Sequence, residues 1–178
     1  MTFPVYHFKR AIPLRNEAYN AWLWNRIAAA HQRIWLSVFI FNAATAHDTA
    51  YQVRDMAKHL AYARWRNVDV RVLLGQSHIG AIQIQNTVAA EFLASMRIEA
   101  RFFDSAENTS LHSKYVVFDD DWVVVGSNNW SPGGFAGNNE DALAMSSADL
   151  NTSLSLNFLK NWHDASAKKG AGYEQHVV

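Results

Sequence analysis

Apolar positions recur at helical spacing from Asn16 to Arg33, with Tyr19, Leu23, Ile27 and Ala30 on one face, which predicts an amphipathic first helix. The β-branched and aromatic run IWLSVFIFNA, Ile34 to Ala43, predicts a strand. Asp48 can cap a second helix that runs to about Arg66 and carries Val53, Met56, Leu60 and Ala63 on one side. VDVRVLLG, Val68 to Gly75, reads as another strand and QSHIGAIQIQ as a loop. Asn86 or Thr87 then opens a helix with Val88, Phe92 and Met96 inward, followed by the short strand IEARFF, Ile98 to Phe103. This alternation predicts a layered α/β fold with a mixed, largely parallel sheet flanked by helices on both sides. Beyond the polar segment DSAENTS lie two apolar runs around Asp119 to Asp121, read as antiparallel strands. The glycine-rich loop SPGGFAGNN, a last strand DALAM and a closing helix from about Ala148, with Leu150, Leu154, Phe158 and Trp162 at fourfold spacing, complete the chain.

The 178 residues carry no repeat, linker or low-complexity tract, so one domain over 1–178 is expected. Sixteen basic residues balance sixteen acidic ones, so attraction to a polyanion or a membrane must come from a local patch. Cysteine is absent, which excludes disulfides, thiolate nucleophiles and cysteine-based zinc sites. Neither a signal-peptide core nor a run of about eighteen apolar residues is visible, so a soluble, cytoplasmic protein without stable membrane insertion is expected.

The chemistry concentrates in LHSKYVVFDDDWVVVGSNNW, Leu111 to Trp130. Strand side chains alternate, so His112 and Lys114 share one face and Asp119 takes the other. On the return strand Ser127 and Asn129 share a face, and a tight turn at Asp119 to Asp121 brings residues 127–129 opposite 112–114. An imidazole, an ammonium, a hydroxyl and an amide then converge at one end of a hairpin. Such a set offers donors and positive charge without thiolate or carboxylate, and suits a phosphate better than a metal. An imidazole is also a competent nucleophile near neutral pH, its ordinary pKa being about 6.5.

His112, Lys114, Asp119, Gly126, Ser127 and Asn129 match, without a gap, the pattern HxK, four residues, D, six residues, GSxN, and so the chain resembles the phospholipase D superfamily. Chance agreement at six fixed positions is on the order of one in a million over a chain of this length. The order of elements from Asn16 onward, and Asn139-Glu140 after the glycine-rich loop, are similar to the small single-motif nucleases of that family, with the motif region at 111–141. The resemblance implies that His112 attacks phosphorus to form a phosphohistidine, that Lys114 and Asn129 hold phosphate oxygens, and that Glu140 bonds the histidine. Ser127 assists orientation. Asp119 occupies the family's aspartate position, and its face implies a supporting role rather than contact with substrate. The family places two motifs across a pseudo-twofold axis, because one histidine must be neutral to attack while another is charged to protonate the leaving oxygen. HFK at His7 to Lys9 is no second motif, since Leu14 stands where aspartate is needed and no GSxN follows. One motif per chain therefore implies a homodimer with the active site at the twofold interface.

Around this set, Trp130 and Phe135 could stack on a base or belong to the core, and His78 lies after the second strand, where α/β proteins tend to build sites. Arg54, Lys58, Arg64, Arg66 and Arg71 form either a basic track or a solvated face. Trp22, Trp24, Trp35 and Trp65 are read as structural. The expected function is metal-independent phosphodiester hydrolysis of DNA or RNA, with no cofactor. The alternatives are a phospholipase D-type phospholipid hydrolase or transferase and a catalytically idle nucleic-acid-binding module.

Overall fold

The computed structural model describes residues 3–43, 51–77, 79–103 and 110–165. Asp48 and His78, named above as a cap and a candidate binding residue, lie outside them. The chain runs β1 (Arg10–Arg15), α1 (Glu17–Ala29), β2 (Arg33–Val38), α2 (Tyr51–Trp65), β3 (Asp69–Leu74), α3 (Gly80–Ser95), β4 (Glu99–Phe102), β5 (Tyr115–Phe118), β6 (Trp122–Gly126), β7 (Asp141–Ser146) and α4 (Ala148–Asp164). A turn of π-helix, Gly133–Gly137, occupies the glycine-rich stretch. Among the described residues no helix is long and apolar enough to cross a membrane.

The seven strands of the described residues join one sheet in the order β1-β7-β6-β5-β2-β3-β4. The sheet is mixed, as the alternation of elements predicts, but parallel pairing is confined to β2–β3 and β3–β4. The other pairings are antiparallel, because after β4 the chain proceeds by hairpin and returns instead of helical crossovers.

Side-chain alternation divides the core into two layers. Ile34, Leu36 and Val38 of β2, with Val116 and Phe118 of β5, pack under Leu23 of α1, Leu60 of α2 and Leu93 of α3. Trp35, Val117, Val123 and Met145 face the other way, onto Phe158 and Trp162 of α4. Trp35 stacks on Phe158, and Trp22 meets Phe118 edge-on, so these two tryptophans are structural. Trp24 and Trp65 are not, being 45% and 77% exposed on the outer surface of the α1–α2 layer. A helical run of apolar residues there lay too near the edge of the buried stripe to be covered.

Three elements depart from the hydrophobic pattern for identifiable reasons. β1 is an edge strand that buries Leu14 alone and contains Pro13, whose missing N–H an edge position tolerates. α3 starts at Gly80, inside the segment that reads as a loop, and its buried face is Asn86, Ala89 and Leu93, with Val88 exposed. A buried asparagine sets that phase: Asn86 accepts from Phe41 N at 2.8 Å and donates to Phe39 O at 2.8 Å and Gly75 O at 2.7 Å. The same bonds stop β2 at Val38, short of Ala43, by drawing the backbone after it toward α3.

Candidate active site

β5 and β6 form the hairpin, with Tyr115 opposite Val125 and Phe118 opposite Trp122. Gly126 N donates to Lys114 O at 3.1 Å and closes the ladder, so His112, Ser127 and Asn129 stand on irregular backbone just beyond it. Strict face alternation therefore does not set their directions. They gather because neighbouring segments hold each of them.

His112 is exposed and packs its ring on Phe39, centroids 5.0 Å apart. Its Nδ1 accepts from Lys114 Nζ at 3.2 Å, and the same ammonium donates to His112 O at 2.7 Å. Asn129 Oδ1 accepts from Ile40 N at 3.2 Å, so the Phe39–Ile40 segment forms a wall shared by the histidine and the amide. Asn86 holds that wall through Phe39 O, a role its place mid-helix conceals in the sequence.

Glu140 is buried and anchored at both backbone groups by Asn16, whose Oδ1 accepts from Glu140 N at 2.9 Å. Its carboxylate accepts from Ser127 Oγ and from Asn138 Nδ2, the latter at 2.9 Å. Among the described residues the carboxylate's hydrogen-bond partners are thus Ser127 and Asn138, while the imidazole's partner is Lys114. Gly126 permits the approach of β7 that brings Glu140 in: a Cβ there would lie 2.5 Å from the Ala142 Cβ. At Gly134 a Cβ would collide with Asn129 O, so glycine lets the π-helical turn press on the backbone of the candidate phosphate-binding amide.

Trp130 does not reach this site. It is 1% exposed, its backbone bridges to Phe41, and its ring lies against Phe41 and Phe135. The polar residues before it turn outward, but the bridge carries Trp130 into the core, where it cannot stack on a base.

Asp119 lies at the other end of β5, about 13 Å of strand from the end that follows His112 and Lys114, at roughly 3.3 Å per residue. It is 2% exposed, and its Oδ1 accepts from the backbone N of His31, Gln32 and Arg33 at 3.1, 2.8 and 3.2 Å. Arg26 adds an ion pair at 3.3 Å. A φ of 45° turns Asp119 out of the strand's alternation toward the end of α1. Asp120 and Asp121 pair with Arg33 and Arg26. Among the described residues, no group of three or more His, Asp or Glu is placed to hold a metal ion.

Burial pulls the Lys114 ammonium below its ordinary value of 10.5, and the Glu140 carboxylate opposes that shift. Glu140→Gln should therefore lower the lysine further and move the alkaline limb of kcat/KM to lower pH. A pH–rate profile checks this, and a limb that stays in place would rule out Lys114 as the titrating group.

The family model described as cardiolipin synthase, PLD-like domain, matches residues 23–162, a span that includes the whole hairpin and Glu140. The chain belongs to the phospholipase D-like family. Solved structures share this phospholipase D-like fold. NUC from Salmonella typhimurium, a phospholipase D family member, superposes with a TM-score of 0.71 at 20% identity, over 88% of this chain and 97% of that one. NucT from Helicobacter pylori gives 0.68 at 16% identity, over 88% and 97%. Phosphatidylserine synthase from Haemophilus influenzae Rd KW20 gives 0.67 at 14% identity, over 89% of this chain and 40% of that one. A search of curated proteins finds no match. Membership of the phospholipase D-like family supports phosphodiesterase activity.

Proposed function

We propose that the protein is a metal-independent phosphodiesterase acting on nucleic acid, working as a homodimer through a phosphohistidine. The observation that carries this reading is the exposed imidazole of His112 held 3.2 Å from the Lys114 ammonium, beside Asn129, at the open end of the hairpin. In the first step the neutral His112 ring attacks phosphorus, the P–O bond to the leaving alcohol breaks, and a protonated second histidine supplies the proton. In the second step that histidine, now neutral, takes a proton from water as the water oxygen attacks phosphorus and releases His112. Lys114 and Asn129 bear the developing charge on the phosphate oxygens.

Each chain carries one such histidine, and the second is the partner's copy. The surface beside the site supports this. Pro13, Leu143 and Val125 are cross-strand neighbours on β1, β7 and β6, all exposed on the α4 side of the sheet. A second copy would bury that apolar row. Leu143→Asp with Val125→Asp should yield monomers in sedimentation and lose most of the activity, whereas fully active monomers would exclude a shared site.

The substrate class is tested by incubating the protein, in EDTA, with single- and double-stranded DNA, RNA and phosphatidylcholine vesicles. Cleavage of a nucleic acid with chelator present is expected. Activity abolished by EDTA would end the metal-free mechanism. The family description and the likeness to a phosphatidylserine synthase favour a second reading, phosphatidyl transfer by the same covalent chemistry, and turnover of lipid alone would establish it.

A further inference from the structure

α2 runs about 20 Å from Tyr51 to Trp65. Along its outer side the rings of Trp24, His59, Tyr62 and Trp65 follow one another with centroid separations of 3.5, 6.0 and 5.9 Å. At its C-terminal end Tyr62 and Trp65 line a cleft of about 470 Å³ together with Met96, Lys58 and Arg97. Arg97 also borders an adjoining depression of about 370 Å³ that includes Arg64 and Arg71.

The charges here are one-sided. Asp69 is paired with Arg71 at 3.0 Å, Glu99 with Arg101 at 2.7 Å and Asp55 with Lys58 at 3.1 Å, so these three nearby carboxylates are neutralised. Among the described residues Arg64 and Arg97 enter no salt bridge. The basic track read from the sequence is redrawn accordingly. Arg66 is turned inward, donating to Ile27 O and Ala30 O, and Arg71 lies over the rings of Trp35 and Trp162. Arg97, from the α3–β4 turn, replaces them.

From this juxtaposition we infer that the cleft between α2 and the α3–β4 turn is an accessory site for single-stranded nucleic acid, bases stacking on Tyr62 and Trp65 and phosphates lying against Arg97 and Arg64. An aromatic face beside unpaired guanidinium groups meets both halves of a nucleotide, and only an unpaired strand frees its bases to stack. A second copy of the chain is a poor occupant, since a twofold contact would set these cations against themselves. The site also gives a protein of zero net charge a local means of holding a polyanion. The inference rests on the nuclease reading for its class of ligand and adds where the strand is held.

Fluorescence anisotropy of a labelled single-stranded oligonucleotide of about 20 nucleotides, longer than common site sizes of roughly 4–16, tests it without turnover if every protein carries His112→Asn. Trp65→Ala and Tyr62→Ala should each weaken binding about tenfold or more, while Trp65→Phe keeps most of the affinity. Arg97→Ala and Arg64→Ala should each reduce the slope of log Kd against log salt by about one. Affinity unchanged by Trp65→Ala overturns the inference, as does a His112→Asn protein that binds no oligonucleotide. Loss of binding to phosphatidylglycerol vesicles with oligonucleotide affinity intact also overturns it and makes the surface a membrane face. The nuclease reading fails separately, when protein with an intact His112 leaves every nucleic acid uncut.

Discussion

Replacing His112 by asparagine should lower kcat by about four orders of magnitude or more, the loss expected when a nucleophile is removed from an otherwise complete site. The readout is hydrolysis of bis(p-nitrophenyl) phosphate, small enough to need only the catalytic end. His112 is exposed and no strand depends on it, so the melting temperature should stay within a degree or two. Lys114→Ala should be milder, on the order of 10²- to 10³-fold, because it removes one electrostatic donor and leaves the attacking group. Turnover by His112→Asn within tenfold of the original would exclude the covalent route. An original protein that binds nucleic acid and never cleaves it would instead be a binding module.

Asp119→Ala should produce the largest stability change of any single substitution in the motif, about 3–5 kcal/mol by denaturant titration. Three backbone N–H groups at the α1–β2 junction would lose their shared acceptor, and Arg26 would lose a buried partner. Alanine would also have to adopt the left-handed backbone that aspartate occupies at φ 45°. The informative control is Asp119→Asn, which keeps an acceptor and tolerates that backbone, so it should recover roughly half of the loss. Activity per folded molecule should change little in either variant. A large drop in kcat with unchanged stability would mean that Asp119 acts in the chemistry.

The two substitutions separate what was legible in the sequence from what was not. The motif lies within one hairpin, so its composition and spacing are visible without knowing the fold, and the alternation of helices and strands shows a layered α/β arrangement. The long-range settings are invisible in that way. Asn86 looks like a helix opener until Phe39 and Gly75 are placed against it, and Trp130 looks like a stacking platform until Phe41 bridges to it. Asp119 is set by a positive φ that face parity cannot anticipate. β1 hides because an edge strand with a single buried side chain leaves almost no period. Trp24 and Trp65 show the reverse error, apolar residues on helices that the structure leaves exposed.

The clamp between Asn16 and Glu140 ties together residues 124 positions apart, at the junction of β1 and α1. A chain emerging from a ribosome therefore exposes the asparagine long before the glutamate it will hold, and β1 lacks its sheet neighbour until β7 has been made. The β5–β6 hairpin that follows His112 and Lys114 is local and needs only residues up to Gly126, so it is complete in sequence before β7 begins at Asp141. Completion of the acidic side of the site is thereby tied to synthesis of β7, so a chain stopped between Trp130 and Glu140 would carry His112 and Lys114 without the carboxylate that Asn16 anchors.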